Sequence, residues 1–374
     1  MNNGASVIAA VLPAREGESE AHLERDVFAT VDPAEIATLV DRFCCSHLGA
    51  GISRYEFFAT SVGSVHGVLL DDGQRVVVKV HRAGAGGGHL RAVQRVQSHL
   101  STQQFACPRP LLGPTALAEG LAVVETMLDA GSWRSAHEPA VRGEMASTLA
   151  RLIELCRPLR PLDGLDLARE RARRLWLEPH DRRFDFPGTA RGAEWIDRLS
   201  RAANDQLDSL DLGPELIGHT DYRAEHVRFS GARISAVYDW DSLALAPEPL
   251  FVGQAAHAFT ADWSRRGWRL PTLVESRAFI ADYEAARGTP FPPAERQAAS
   301  AAMVAALSYS ARCEHSDRLT RFGTRPPPPT PTQTSPPALA AVPPGGYLAI
   351  LATHGPELLG SAETGNVRIS EVRE

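Results

Sequence analysis

The alternation of apolar and polar positions in the first third of the chain predicts a small antiparallel sheet. Two apolar stretches, residues 55–70 and 75–81, flank the sequence Asp71-Asp72-Gly73, which is typical of the turn in a β-hairpin. The other elements predicted for this region are a helix over residues 33–48, a helix over residues 89–103 and a buried strand over residues 121–126.

From residue 139 the pattern becomes helical. One face of the first helix carries apolar residues at helical spacing: Val141, Met145, Leu149, Leu152, Ile153 and Cys156. Further helices are predicted to about residue 208 and again up to about residue 320, whereas residues 215–240 predict short strands and loops. The predicted fold class is therefore α+β, with a small antiparallel β lobe containing one helix and a larger, mainly helical lobe.

Shifts in composition suggest where the domains begin and end. Residues 1–30 are polar and predict a weakly ordered leader, followed by an N-terminal lobe over residues 31–128 and a C-terminal lobe over residues 129–323. Residues 325–346 contain nine of the 27 prolines of the chain. We therefore expect residues 324–374 to form a semi-rigid linker and tail outside the folded body.

Composition and charge disfavour several classes of protein. The 374 residues are 44% hydrophobic and 22% charged with a net charge of -6, which disfavours nucleic acid and anionic membranes as partners. We find no run of 18 apolar residues and no basic secretory signal, so a cytoplasmic location is expected. The five cysteines lack paired spacing, which favours free thiols over disulfides or a structural zinc site.

The basic residues of the chain are arginines with a single exception. Of 39 basic residues only Lys79 is a lysine, and all the others are arginines. Lysine offers a compact, flexible point charge, whereas arginine offers a planar fork. Lys79 also lies in the valine-rich strand 75–81, where a charged side chain is costly unless it projects into a site. The pattern therefore marks Lys79 as a functional candidate.

A second candidate group lies in residues 217–242. His219 and Asp221 are followed by His226, and an apolar stretch then ends in Asp239-Trp240-Asp241, with Asp221 and Asp239 18 residues apart. Phosphoryl transfer needs one carboxylate to orient the attacking hydroxyl and others to hold the metal ion on the phosphates. The spacing of these acids predicts such a site.

These motifs resemble the aminoglycoside phosphotransferase and choline kinase-like family, relatives of the protein kinases, over roughly residues 50–320. The family pattern is H-x-D-x-x-x-x-N, followed by I-D-W or D-x-D. The resemblance implies a two-lobed, protein-kinase-like fold with ATP and Mg²⁺ in the cleft between the lobes. It implies Asp221 as the catalytic base and Asp239 as a metal ligand, with His226 and Asp241 at or near the metal.

The resemblance also assigns nucleotide-binding residues in the N-terminal lobe. Lys79 is expected on the α- and β-phosphates, and the turn containing Gly63 and Ser64 is expected to cover the phosphates with backbone N–H groups. The backbone from Glu125 to Met127 is expected to form the hinge that binds adenine. These roles are implied by the family and not by the spacing of the residues alone.

The chain departs from the family pattern at two points. His226 stands where the family has asparagine, and Mg²⁺ prefers oxygen ligands to imidazole. The kinase lysine usually pairs with a glutamate on the next helix, but residues 80–118 contain no acidic residue, so Gln94 or Gln97 would have to replace it.

The function expected from the sequence is an ATP- and Mg²⁺-dependent transfer of the γ-phosphate to a hydroxyl of a small molecule. An aminoglycoside-like antibiotic, an amino alcohol or a sugar are the candidate acceptors. Because of the two departures, a catalytically weak or inactive kinase-like nucleotide-binding protein is the alternative. A helical protein that associates with DNA or RNA is a third interpretation, which the net negative charge disfavours.

Overall fold

The computed structural model describes residues 3–12, 22–60, 62–160, 162–169, 175–176, 178–179, 181, 183–322 and 346–360. Their contacts divide the chain into two units. The first comprises Met1–Arg169 with Leu216–Ala246, and the second comprises Glu170–Glu215 with Pro247–Glu374. This division differs from the lobe boundary predicted at residue 128, because residues 129–169 and 216–246 group with the sheet-containing unit; the Val237 N–H, for example, donates to the Ala106 carbonyl at 2.7 Å.

The first unit contains a five-stranded antiparallel sheet in the order β1-β2-β3-β5-β4. The predicted hairpin is confirmed, and Gly73 in its turn has a φ of 85°, which favours glycine. The fourth strand was not predicted; it is an edge strand that begins at Pro110, where a proline removes no central ladder bond. The strands are Ile52–Thr60 (β1), Ser64–Leu70 (β2), Arg75–Arg82 (β3), Pro110–Leu117 (β4) and Gly120–Thr126 (β5).

Helices of the first unit cover the sheet and supply its core. Ile36 and Val40 pack with strand residues such as Val68 and Val78, and all four are fully buried. Residues 33–48 and 89–103 were predicted helical, and the helices there are confirmed with shifts of at most two residues. The helices are Gly4–Val11 (α1), His22–Phe28 (α2), Pro33–Leu48 (α3), Gly87–Thr102 (α4) and Pro139–Cys156 (α5).

The predicted weakly ordered leader is wrong for the residues of α1 and α2. Ile8 and Val27 are completely buried in the core beside the sheet. Asn3 also exchanges two hydrogen bonds with the backbone of Tyr55, at 2.8 and 3.1 Å, which ties the start of α1 to β1. These helices were missed because each is short, with 8 residues in α1 and 7 in α2. Residues 13–21 lie outside the described part of the chain.

Two small ladders complete the first unit. β6 pairs with β9, and β7 pairs with β8 in an antiparallel ladder. Together they hold the loop at 220–226 and the turn at 238–242, which carry the predicted acidic motifs. These strands are Glu215–His219 (β6), Val227–Ser230 (β7), Arg233–Val237 (β8) and Leu243–Pro247 (β9).

The second unit is helical and is organised around its longest helix, α9. α6, α7 and α10 all pack against this helix. The approach of α7 is close: a Cβ on Gly253 would lie 2.1 Å from the Ala299 carbonyl oxygen. No helix in the described part of the chain is both long and apolar enough to span a membrane. The helices are Glu194–Ser209 (α6), Glu248–Ala256 (α7), Leu273–Arg287 (α8), Pro293–Phe322 (α9) and Tyr347–Leu358 (α10).

The predicted linker and tail is wrong at α10. Leu348 and Leu351 of this helix are buried, and the Leu348 N–H donates to Glu314 of α9 at 3.0 Å. The sequence Tyr-Leu-Ala-Ile-Leu follows the proline-rich stretch, and its apolar residues were too few to indicate a domain. The proline-rich residues 324–345 lie outside the described ranges, so their role as a spacer stays a prediction.

We predict that Leu351→Ala destabilises the protein by about 2–5 kcal/mol, because it removes a fully buried side chain from the contact of α10 with the rest of the second unit. Chemical denaturation measures the change. Thr353→Ala, at an exposed position of the same helix, is the matched control and should change stability by less than about 0.5 kcal/mol. Equal stability of the two variants would show that α10 contributes nothing to the fold.

Candidate active site

Lys79 projects from the face of β3 opposite to the valines that enter the core. Val78 and Val80 are fully buried, whereas Lys79 shares its face with Val123 and Glu125 of the neighbouring β5. Its Nζ lies 3.0 Å from Oε1 of Glu125, and both side chains are largely buried. Burial disfavours the ammonium ion, but Glu125 and Asp241 outweigh that effect and raise the pKa of Lys79. Lys79 is therefore a buried cation.

The carboxylate that pairs with Lys79 comes from a strand and not from the following helix. Gln97 of α4 donates its amide N–H to the other oxygen of Glu125 at 2.8 Å, so the helix contributes to the pair indirectly. Gln94, the other predicted substitute, donates to the Leu112 carbonyl at 2.7 Å instead. The expected loss of a carboxylate partner is thus wrong, because β3 and β5 are in register to place Glu125 diagonally from Lys79.

His219 fixes the loop that follows β6. It is 1% exposed, its Nδ1 accepts from the Asp221 N–H at 3.1 Å, and its Nε2 lies 3.0 Å from the Tyr238 carbonyl. Burial lowers the pKa of His219 to about 4, so the ring is neutral near pH 7. The Nδ1 contact leaves the proton on Nε2, which donates to Tyr238. The loop carrying Asp221 and the turn carrying Asp239 are thereby joined.

Asp239 occupies an unusual backbone conformation at the end of β8. Its φ of 62° and ψ of 44° are left-handed, which aspartate tolerates better than most residues. Ser242 donates to its Oδ2 at 2.6 Å, and the fully buried Trp240 anchors the turn by donating to the Val237 carbonyl at 2.8 Å. Burial favours a raised pKa, but His226, His219, the Ser242 hydrogen bond and Lys79 together lower the pKa of Asp239 to about 2.

Asp221, His226 and Asp239 bring together atoms of the types that bind metal ions. One atom of each lies within 4.8 Å of the others. Nε2 of His226 is 3.4 Å from Oδ2 of Asp221 and 3.9 Å from Oδ2 of Asp239. Burial and the nearby Arg223 lower the pKa of His226 to about 4, so its imidazole is neutral and able to bind a metal near pH 7. Two carboxylate groups and one neutral nitrogen fit a divalent cation.

Asp241 does not join this group. Its carboxylate faces β3, with Oδ1 3.8 Å from Nζ of Lys79 and Oδ2 3.9 Å from Nδ1 of His81. Its carbonyl lies 3.0 Å from Nε2 of His89 at the start of α4. The structure therefore places Asp241 beside the lysine and not among the ligand atoms, unlike the predicted position at the metal.

Residues of the predicted nucleotide-binding turn and of the predicted hinge make contacts within the sheet. The Ser64 hydroxyl is buried 3.0 Å from Nε2 of His66, so its side chain faces the core. Gly63 lies beside His81, and Ser61, which belongs to the same turn, is outside the described residues. The Met127 N–H donates to the Arg75 carbonyl at 3.1 Å. Binding of phosphates by this turn and of adenine by the hinge stays a prediction.

The family was identified by comparison with known protein families. The model described as "Phosphotransferase enzyme family" matches residues 64–288, which include Lys79, Asp221, His226 and Asp239. The chain belongs to the phosphotransferase enzyme family. The match confirms the predicted resemblance and the predicted enzyme class, a phosphotransferase that acts on a hydroxyl of a small molecule.

Solved structures of other phosphotransferases are similar to this chain at low sequence identity. A type I macrolide 2'-phosphotransferase is 16% identical and covers 79% of this chain and 98% of its own, with a TM-score of 0.48. The macrolide 2'-phosphotransferase MphH of Brachybacterium faecium is 14% identical over 79% and 99%, with a TM-score of 0.49. An aminoglycoside phosphotransferase of Alicyclobacillus acidocaldarius is 15% identical over 83% and 90%, with a TM-score of 0.45. No curated protein matches the chain. Likeness at this level does not indicate a shared acceptor.

Two basic residues of this candidate site were not predicted from the sequence. Arg223 is 7% exposed, contacts the Asp221 carboxylate and donates from Nε to Glu225 at 3.1 Å. His81 is 5% exposed and lies on the same face of β3 as Lys79. Arg223 could have been found from its position two residues after Asp221. His81 could have been found because side chains alternate along a strand, which places it on the same face as Lys79.

We predict that Glu125→Gln lowers stability more than the double variant Lys79→Met/Glu125→Gln does, because the single change leaves a buried ammonium with a weakened partner. A double-mutant cycle on the free energy of unfolding should give a coupling of about 1–3 kcal/mol. The control is Asp26→Asn, which removes the partner of Arg82 on the same strand; that pair is more exposed, so we expect a loss below about 1 kcal/mol. A coupling near zero would contradict the pairing of Lys79 with Glu125.

Proposed function

We propose that this phosphotransferase moves the γ-phosphate of ATP to a hydroxyl of a small molecule with the help of a divalent metal ion. The observation that carries the proposal is the assembly, within one unit, of the buried Lys79–Glu125 pair and the Asp221, His226 and Asp239 group. A buried cation suits phosphate oxygens, and the carboxylates suit a metal and an attacking hydroxyl. Asp241, 3.8 Å from Lys79, lies on the lysine side of this assembly.

Each side chain has a separate task in the proposed reaction. Lys79 binds phosphate oxygens of ATP, and Glu125 holds the ammonium in place. Asp221 orients the acceptor hydroxyl and takes its proton while the hydroxyl oxygen bonds to the γ-phosphorus and the bond to the ADP oxygen breaks. Arg223 contacts one oxygen of Asp221 and thereby fixes the direction of the carboxylate.

The metal site of the proposed reaction consists of Asp239 and His226, with Asp221 adjacent to them. A bound divalent cation would neutralise charge on the phosphates. The family resemblance favours Mg²⁺, but the imidazole of His226 is not a ligand that Mg²⁺ prefers. An aminoglycoside-like antibiotic, an amino alcohol and a sugar remain the proposed acceptors.

A second candidate function is binding of nucleotide without efficient transfer. The replacement of the family asparagine by His226 supports it. The absence of a glutamate from the helix after Lys79 no longer supports this second function, because Glu125 pairs with Lys79. Thermal shift with ATP, with and without a divalent metal, separates the two functions: stabilisation that requires the metal supports the enzyme, and metal-independent stabilisation supports the binding protein.

We predict that Lys79→Arg weakens ATP binding without unfolding the protein. The planar guanidinium is larger than the ammonium and cannot take its place between Glu125 and the phosphates. Calorimetric titration with ATP measures the affinity, and circular dichroism checks the fold. If Lys79→Arg binds and turns over ATP like the wild type, the role of Lys79 on the phosphates is wrong.

We predict different kinetic effects for the two aspartates. Asp221→Asn should lower kcat by about 10²–10⁴-fold and leave ATP affinity nearly unchanged, because a group that takes the hydroxyl proton acts mainly in the transition state. Asp239→Asn should remove the metal dependence of ATP binding, because a metal ligand acts already in the ground state.

Steady-state kinetics and ATP titrations at several metal concentrations check both changes. Asp72→Asn, in the exposed turn between β2 and β3, is the control and should change neither quantity. A phosphotransfer rate that survives Asp221→Asn intact would rule out the proposed mechanism.

A further inference from the structure

The nitrogen that His226 presents to the two aspartates has no hydrogen-bond partner among the described residues. Nε2 is buried from solvent and forms no hydrogen bond of acceptable geometry, although both carboxylates lie within 4 Å of it. A buried polar atom left without a partner costs about 1–3 kcal/mol. The position of this nitrogen is therefore poorly explained by a structural role alone.

The backbone holds the imidazole in this position from both sides. The His226 N–H donates to the Arg223 carbonyl at 3.0 Å, and its carbonyl accepts from the Tyr238 N–H at 2.8 Å. Asp239, the residue after Tyr238, presents its carboxylate to the same space. The ligand atoms are thus brought together by the same backbone contacts that join the loop to the turn.

The donor set of the group differs from the set that Mg²⁺ favours. Mg²⁺ is a hard cation that binds carboxylates, phosphates and water, and it rarely takes imidazole nitrogen. First-row transition-metal ions accept nitrogen readily, and Mn²⁺ in addition accepts carboxylates and phosphates. A third acid that could have given an all-oxygen set, Asp241, faces Lys79 and His81 instead.

We propose that His226 and Asp239, with Asp221 adjacent to them, bind a first-row transition-metal ion, with Mn²⁺ preferred over Mg²⁺, and that His226 determines the preference. This metal assignment rests on the proposed phosphotransfer in one respect, since it concerns the metal ion of the same site. His226 is then a specificity-determining ligand and not a degraded asparagine position.

The test is metal binding by the full-length protein without nucleotide or acceptor. Electron paramagnetic resonance measures free Mn²⁺ during a titration, and competition with Mg²⁺ gives the affinity ratio. We expect the wild type to bind Mn²⁺ at least about tenfold more tightly than Mg²⁺. His226→Asn should lose about tenfold or more in Mn²⁺ affinity without losing Mg²⁺ affinity.

The matched control is His47→Asn, the same chemical change at an exposed position of α3, which should leave both affinities unchanged. A wild type that prefers Mg²⁺, or a His226→Asn variant that keeps the wild-type Mn²⁺ affinity, would overturn the proposal.

A measurement on the wild type covers the case in which His226→Asn does not fold. Pulsed electron paramagnetic resonance of bound Mn²⁺ should show coupling to one imidazole ¹⁴N, and its absence would exclude the nitrogen ligand. ATP turnover is measured separately with each metal. Phosphotransfer without this coupling defeats the metal assignment only, and nitrogen-bound Mn²⁺ without any phosphotransfer supports the metal assignment while defeating the proposed function.

Discussion

The buried ion pair between Lys79 and Glu125 is the constraint on which the candidate site depends. An ammonium ion in a valine-rich strand is expensive to bury, and a carboxylate 3.0 Å away makes it tolerable. The antiparallel register of β3 and β5 brings the two residues together, and Gln97 connects them to α4. The sheet, the helix and the lysine are therefore linked by one network, and a change in any of them alters the charge presented to the site.

A second network determines where the acids lie. The His219 ring forms hydrogen bonds with the Asp221 N–H in the loop after β6 and with the Tyr238 carbonyl in the turn after β8. The hydroxyl and the N–H of Thr220 both donate to the Ser242 carbonyl, at 2.8 and 2.9 Å. Buried polar contacts of this kind are effective only when every member is satisfied, so they specify a single arrangement. The left-handed backbone of Asp239 is held within that arrangement. Candidate metal-ligand atoms of Asp221 and Asp239, which are 18 residues apart in sequence, thereby come within 4.8 Å of each other.

Local patterns in the sequence were sufficient for most elements of the fold and for selecting Lys79 and the acids as candidate site residues, but not for Arg223 or His81. The β2–β3 hairpin, α4 and α5 follow from turn chemistry and apolar spacing, and the lysine and the acids follow from their isolation and spacing. Contacts that join distant segments could not be predicted in the same way. The helices α1, α2 and α10 were missed because their apolar faces are short and become evident only when another element covers them.

The partner of Lys79 illustrates why single residues are harder to assign than motifs. The family pattern predicts the partner of Lys79 on α4, which contains no acidic residue, and assigns Glu125 to the hinge. Which residue lies diagonally across a strand pair depends on register, and register is set by packing and turn geometry far from the residue itself. The chemical requirement for a buried counter-charge was correctly identified, but the element that meets it was not.

The same reasoning connects the two departures from the family pattern. In one, a carboxylate that the family places on a helix is supplied by a neighbouring strand, so the charge at Lys79 is retained. In the other, His226 stands at the sequence position where the family pattern has asparagine, so a nitrogen replaces an oxygen among the atoms near Asp221 and Asp239. The first change retains a negative charge beside Lys79. Under the proposed function, the second would change which metal ions the carboxylates can hold together with residue 226.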